Sequence, residues 1–294
     1  MNFINAATKK ERTHVEEIIK SQPVMPHEGI TATEIGICGK QNLFMDVYRP
    51  DNDAEKHPII IDIHGGGLIA GRKEQNQNLA TWFAKEGYLT FAPDYRLVPE
   101  TNVFGQITDV INAFATVAEC AEDFGGDLNQ VFVVADSAGA FLACMASSIL
   151  RYPVKMQPVE DELEENVPEA AKKLVINAMG LQSGMYYIYK GQVGLLQNYY
   201  MSKGWNNHSY AEFIKPETYS KLIPPCYICT GKKDFLKKQT FGFKKCLENE
   251  RVHHDYGFVS KKETVHAFAA LYPESESAVG VNREMIRFFD SFKK

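Results

Sequence analysis

The sequence predicts an α/β protein built on a mostly parallel sheet. Three observations carry this: strand-like and helical segments alternate from residue 58 onward, Pro58–Ile63 (PIIIDI) is β-branched and almost wholly apolar, and small-residue turns directly follow two of the strands. A strand covered on both faces reads as such an unbroken apolar run. The chain has 294 residues, of which 45% are hydrophobic, 12% aromatic and 23% charged. A single core grows to roughly 250–300 residues before chains split into domains. One domain over 1–294, with appended cap elements, is therefore expected.

In chain order, residues 1–28 read as a helix and then a loop. Val15, Ile18 and Ile19 form its apolar stripe, and Pro23 and Pro26 stop it. Thr33–Ile37 and Leu43–Tyr48 flank Gly39–Lys40–Gln41–Asn42, a hairpin signal. After Pro58–Ile63 come a helix over Asn76–Glu86 closing at Gly87, a strand over Tyr88–Ala92, and a helix over Phe104–Phe124 ending at Gly125–Gly126. Val131–Ala135 is a strand and Gly139–Leu150 a helix. Leu174–Met179, Cys226–Thr230 and the weaker Tyr256–Val259 are further strands, and Ser277–Phe292 is a closing amphipathic helix.

Two segments break the alternation. Val154–Glu169 is acidic through Glu160, Asp161, Glu162, Glu164 and Glu165, and reads as a solvated loop or helix face rather than a paired-carboxylate site. Gly184–Pro216 carries Met185, Tyr186, Tyr187, Tyr189, Tyr199, Tyr200, Met201, Trp205, Tyr210 and Phe213. An extra core layer would read this way, but an insertion at the C-terminal strand edge of an α/β enzyme more often covers the ligand site.

The formal net charge of −5 lacks the basic footprint that phosphate binding needs, which excludes nucleic acid as the expected partner. No window approaches the roughly 18 apolar residues that span a bilayer, and the first residues lack a signal-like apolar stretch. The expectation is a soluble cytoplasmic protein. Cys38, Cys120, Cys144, Cys226, Cys229 and Cys246 are scattered through predicted strands and helices, as buried small hydrophobes would be. Cys226 and Cys229 make a C-x-x-C, but within a strand and without a second ligand pair, so no metal or redox site is expected.

The chemistry resides in a few motifs. Ala135–Asp136–Ser137–Ala138–Gly139 joins an apolar strand to a helix with small residues two positions either side of the serine. That is the pattern of a nucleophile elbow, whose tight turn pushes the serine Oγ out at a helix N-terminus. An ordinary serine N-cap would look similar. His64–Gly65–Gly66–Gly67 directly follows PIIIDI. Consecutive glycines let backbone N–H groups approach a developing oxyanion. Phosphate-loop and dinucleotide fingerprints are absent. The expected oxyanion donors are Gly65, Gly66 and Ala138.

A serine hydroxyl needs a base, and the base an orienting carboxylate. The histidines after Ser137 are His208, His253, His254 and His266. Only His266 follows a strand's C-terminal end, where α/β sites assemble. Asp234 likewise ends a strand and is the expected carboxylate, with Asp255 and Glu263 as alternatives.

At these residues the chain resembles the hormone-sensitive-lipase-like esterases of the α/β-hydrolase superfamily. The resemblance rests on His64–Gly67, on Asp94–Tyr95–Arg96–Leu97–Val98–Pro99–Glu100, on Asp136–Gly139, on Thr230–Gly231 leading to Asp234, and on His266–Ala267–Phe268. It implies the α/β-hydrolase fold: a mostly parallel eight-stranded sheet with helices on both faces, and a helical cap from about 1–30 and 184–216 over the acyl and alcohol pocket. It implies structural roles for Asp94–Glu100, which shapes the loop behind the oxyanion strand, and for His64, a positioning residue. Gly67, Asp136 and Gly139 are motif-supporting. The chain departs from the family pattern at Ala135, Ala140 and Ala267, where the family has glycine, and at Phe235, where it has proline. These changes add bulk and remove no functional group.

The implied activity is that of a serine carboxylester hydrolase acting on short- to medium-chain acyl esters through an acyl-enzyme, without metal or organic cofactor. A peptidase or amidase with the same residues is one alternative; in the family the tandem glycine loop accompanies esters. A catalytically silent small-molecule-binding scaffold is another, against which the presence of His266 weighs. The expected partner is a small-molecule ester. Homodimer formation through an edge strand or the last helix is left open.

Overall fold

The computed structural model describes residues 2–188, 200–201 and 204–293. Its centre is an eight-stranded sheet in the order β1-β2-β4-β3-β5-β6-β7-β8. The strands are β1 (Ile30–Gly36), β2 (Phe44–Pro50), β3 (His57–Ile63), β4 (Leu89–Pro93), β5 (Gly126–Asp136), β6 (Ile176–Gln182), β7 (Cys226–Gly231) and β8 (His254–Val259). β2 runs antiparallel to both β1 and β4, while β3 to β8 are mutually parallel. This is the mostly parallel eight-stranded sheet expected, with the predicted hairpin at its antiparallel edge.

Strand periodicity sets the two faces. Ile59, Ile61 and Ile63 of β3 and Val131, Val133 and Ala135 of β5 pack on one side with Ile107, Val110 and Phe114 of the Val103–Cys120 helix and Phe141, Leu142 and Met145 of the Ser137–Arg151 helix. Ile60, Phe132 and Val134 point the other way, against Leu79, Trp82 and Phe83 of the Gln77–Lys85 helix and Met285 and Phe289 of the Glu276–Asp290 helix. Successive residues alternate faces, so a strand buried on both sides has to be apolar throughout. Each fully buried large apolar side chain contributes about 1.5–3 kcal/mol.

One principal helix has no counterpart in the sequence reading. Lys237–Asn249 (KKQTFGFKKCLEN) is lysine-rich with a glycine at its middle, and of its buried residues Gln239, Thr240, Phe243, Cys246 and Leu247 only the last three form an apolar stripe. That stripe is too thin to stand out as a period of 3.6 residues.

The acidic segment is a helix and then an exposed loop, as expected. Pro153–Glu160 is a helix, and beyond it the carboxylates have partners. Glu164 accepts from Arg96 at 2.7 Å, and Glu165 from Lys40 at 2.8 Å. Arg96 also grips Asp109 of the Val103–Cys120 helix. Charges distant in sequence thus tie the Asp94–Glu100 run to the helix layer.

The N-terminal helix, Asn2–Ser21, buries Val15 and Ile19 against the core. Its Arg12 donates to the carbonyls of Ile69 and Val98 and to both carboxylate oxygens of Glu100. That fixes the helix over the chain just beyond the glycine loop. In the 184–216 segment, Tyr186, Tyr200, Met201 and Tyr210 are buried. Tyr186 stacks on Phe243 at 4.0 Å and Tyr210 meets Phe104 edge-on at 4.7 Å. Tyr189 and Tyr199 lie outside the described residues. Among the described residues no helix is long and apolar enough to cross a membrane.

Candidate active site

The parallel strands end along one edge of the sheet, and the chemically capable residues lie there. β5 runs to Asp136, and the next helix starts at Ser137 itself, two residues earlier than expected. Ser137 has a φ of 49°. A non-glycine residue in this left-handed region is strained and persists only when its surroundings over-determine it. Those surroundings are visible. A Cβ on Gly139 would collide with the carbonyl oxygens of Ile63 and His64, so only glycine lets the helix sit this close to β3. The predicted reason for a small residue two positions after the serine is thus met.

His266 lies in the loop after β8, and Asp234 in the turn after β7. The structure brings both to Ser137. His266 Nε2 is 2.8 Å from Ser137 Oγ, and His266 Nδ1 is 2.7 Å from Asp234 Oδ1. An ionised carboxylate can only accept, so Nδ1 carries the proton and Nε2 is left to accept from the hydroxyl. Asp234 Oδ1 also accepts the Leu236 N–H at 2.8 Å, and Oδ2 accepts the Thr230 hydroxyl at 2.6 Å. Burial opposes ionisation of Asp234. The hydrogen bond and charge of His266, with the Thr230 and Leu236 donors, outweigh it and hold the carboxyl below its usual range. Ser137 is 7% exposed and the His266 side chain 20%, so the relay is enclosed except on one side.

The other candidate groups are engaged elsewhere. His208 faces Glu162 at 3.7 Å, His253 packs on Phe288 and Phe292, and His254 bonds the Val252 carbonyl. Asp255 and Glu263 are exposed. Thr230 belongs to the run leading to Asp234, but its bond to the carboxylate was not foreseen, and Ser183 was not singled out from sequence. Ser183 Oγ accepts the Ala267 N–H at 3.1 Å and so pins the loop that carries His266. Ala267 has a φ of 53°. The family's glycine at this position is explained by that backbone, and alanine occupies it here with some strain.

The glycine loop differs from expectation at one donor. Gly65 N–H donates to Asp136 Oδ1 at 2.9 Å. A Cβ there would strike the Asp136 carboxylate and come within 2.8 Å of Ser137 Cβ. Gly65 is therefore packed against the elbow, its N–H used inside the protein. The N–H groups of Gly66, Gly67 and Ala138 have no hydrogen-bond partner among the described residues. Gly66 and Gly67 have φ values of 117° and 62°, which glycine alone adopts readily.

Asp136 is held from both sides. Asn76 Nδ2 donates to Asp136 Oδ1 at 2.9 Å and to Asp62 Oδ1 at 3.1 Å. Burial raises the pKa of Asp136 against the opposing pull of Asn76, His266 and the Gly65 N–H. Burial and the charge of Asp136 push Asp62 well above the usual carboxylate range. Asn76 has no local sequence signal that would have marked it.

His64 stacks on Tyr95 at 4.3 Å, and its Nδ1 is 2.7 Å from the Gly65 carbonyl. The Tyr95 hydroxyl donates to the His64 carbonyl at 2.8 Å. The imidazole is thus part of the loop's support. Burial lowers its pKa to about 4, opposed by the Gly65 carbonyl and the charge of Glu74. The unfolded chain takes up this proton near pH 6.5. Between about pH 6.5 and 4 the unfolded state therefore binds more protons, so stability falls as pH drops through that window. The loss is about 3 kcal/mol at its acid end. Replacing His64 by Gln is expected to flatten the slope of unfolding free energy between pH 7 and 4.5, measured by urea denaturation. An unchanged slope would mean that His64 is not a buried neutral ring.

Comparison with known proteins decides the family. The BD-FAE family model matches residues 45–240. The chain belongs to the BD-FAE family. This BD-FAE member is 26% identical over 205 residues to isoprenylcysteine alpha-carbonyl methylesterase ICME of Arabidopsis thaliana, covering 65% of this chain and 46% of that protein. It is 27% identical over 204 residues to esterase LipQ of Mycobacterium tuberculosis, covering 68% of this chain and 47% of that one. The chain thus spans about half the length of these curated relatives. Among solved structures, esterase B of Lactobacillus rhamnosis superposes with a TM-score of 0.84 at 20% identity, over 99% of this chain and 96% of that one. A bacterial heroin esterase does so with a TM-score of 0.74 at 20% identity, over 99% and 92%. The fold of this BD-FAE protein is the α/β-hydrolase fold.

Proposed function

We propose that the protein is a serine carboxylester hydrolase that works through an acyl-enzyme on esters of short- to medium-chain acids. The observation that carries this reading is the hydrogen-bonded run Ser137–His266–Asp234 beside unpaired backbone donors. The names of the relatives, esterases and a methylesterase, support ester hydrolysis.

In this reading His266 Nε2 takes the Ser137 proton as Oγ attacks the ester carbonyl, and returns it to the leaving alkoxide. Asp234 holds the Nδ1–H tautomer and stabilises the imidazolium. The oxyanion is held by Ala138 N–H at the helix start with Gly66 and Gly67 N–H, Gly67 replacing Gly65 in the expected set. Each such donor is worth about 2.7–4 kcal/mol in the transition state. Water, activated by the same imidazole, then frees the acyl group. Helix Asn2–Ser21 and the described residues 184–188, 200–201 and 204–216 would form the cap that limits acyl length.

The test is hydrolysis of p-nitrophenyl acetate and butyrate set against aminoacyl-anilides, together with labelling by a fluorophosphonate. Turnover of the esters above the anilides, and labelling of one serine, is the expected result. A chain that neither labels nor turns over would instead be a silent binding scaffold, and preference for the anilides would make it an amidase.

A further inference from the structure

One large aromatic ring stands uncovered beside the proposed base. Phe235 follows Asp234 directly and is 72% exposed. Its ring centroid is 4.1 Å from that of His266, with the planes tilted by 37°. Val265, adjacent to His266 in the chain, is 43% exposed. Neither side chain is needed to hold the relay. Thr230 and Leu236 N–H fix Asp234, and both ring nitrogens of His266 already have partners. Phe235 is the most exposed large aromatic ring among the described residues, and it packs on the proposed base.

The chemistry of the site says which half of the ester would meet it. Oγ of Ser137 forms a bond to the acyl carbon, the bond from that carbon to the alcohol oxygen breaks, and the proton on Nε2 passes to the departing oxygen. The leaving alcohol therefore has to lie against the imidazole during the step. A ring packed on that imidazole is placed to border the alcohol half. Aromatic groups prefer offset or tilted stacking on such a ring.

We propose that Phe235 is a specificity-determining residue for the alcohol half of the substrate, and that the favoured class is esters of apolar aromatic alcohols. This rests on the assignment of Ser137 and His266 above. The test is the ratio of kcat/KM for benzyl butyrate to that for ethyl butyrate, which share an acyl group and have alcohols of similar acidity. The ratio is expected to favour the benzyl ester in the unaltered enzyme. It should fall about tenfold in Phe235→Ala, mainly through a higher KM for the benzyl ester, and be kept in Phe235→Tyr. If Phe235 only steadied His266, kcat would fall for both esters together and the ratio would stay the same. A ratio unchanged within twofold in Phe235→Ala, or no benzyl preference at the outset, overturns the proposal. Failure of the unaltered protein to hydrolyse either ester overturns the esterase reading, and this proposal with it. Hydrolysis that persists undiminished in Ser137→Ala does the same.

Discussion

Ser137→Ala is expected to lower kcat on p-nitrophenyl butyrate by on the order of 10⁵- to 10⁶-fold and to abolish fluorophosphonate labelling. In the proposed mechanism the substitution removes the one atom that bonds to the acyl carbon. It leaves the rest of the site in place, since the side-chain partner of Ser137 Oγ is His266 Nε2. The strained φ of 49° is imposed by the backbone packing around Gly139, which the substitution does not touch. The variant should therefore keep the circular dichroism spectrum of the parent. Some rate above that in water should survive, because the N–H groups of Gly66, Gly67 and Ala138 still polarise a bound carbonyl. Activity within tenfold of the parent would remove Ser137 from the mechanism.

Asp234→Asn is expected to lower kcat about 10⁴-fold at neutral pH while leaving KM for the same ester within a few-fold. The cause is the tautomer. Asp234 Oδ1 faces the Nδ1 proton of His266 at 2.7 Å, and an amide nitrogen in that place donates instead of accepting. The imidazole proton then moves to Nε2, which can no longer accept from Ser137. The native carboxylate is held below its usual range despite burial, chiefly by the hydrogen bond and charge of His266. Its ionic contribution is present above the ordinary carboxylate pKa and lost only as pH falls through the lowered value. An unaffected rate in the variant would shift the role to another carboxylate, with Asp255→Asn and Glu263→Gln as the next measurements.

Much of this was legible in the chain. The PIIIDI and VFVVA runs announced strands covered on both faces, and the glycines of 64–67 and the small residues around Ser137 announced two turns that nothing larger fits. Those features are local: they follow from the period of a strand and from the space a Cβ needs. The Lys237–Asn249 helix escaped because two of its five buried residues, Gln239 and Thr240, are polar and blur the apolar period. The Gly65 N–H was misassigned for a different reason. Whether a donor in a glycine loop points to a ligand or to a neighbour depends on what the adjoining strand supplies, here the Asp136 carboxylate.

The Asp62–Asn76–Asp136 bridge and the pairing of Glu164 with Arg96 had no signature of their own. Asp62, Asp136 and Arg96 lie in segments the sequence marks, but nothing in residue order tells that Asn76 or Glu164 is their partner. Residue pattern determined the layers, the turns and the cast of reactive groups. Folding alone decided which polar atoms meet, because a hydrogen bond is settled within a few tenths of an ångström. At the candidate site that depends on the parallel register that sets the ends of β3, β5, β7 and β8 along one edge.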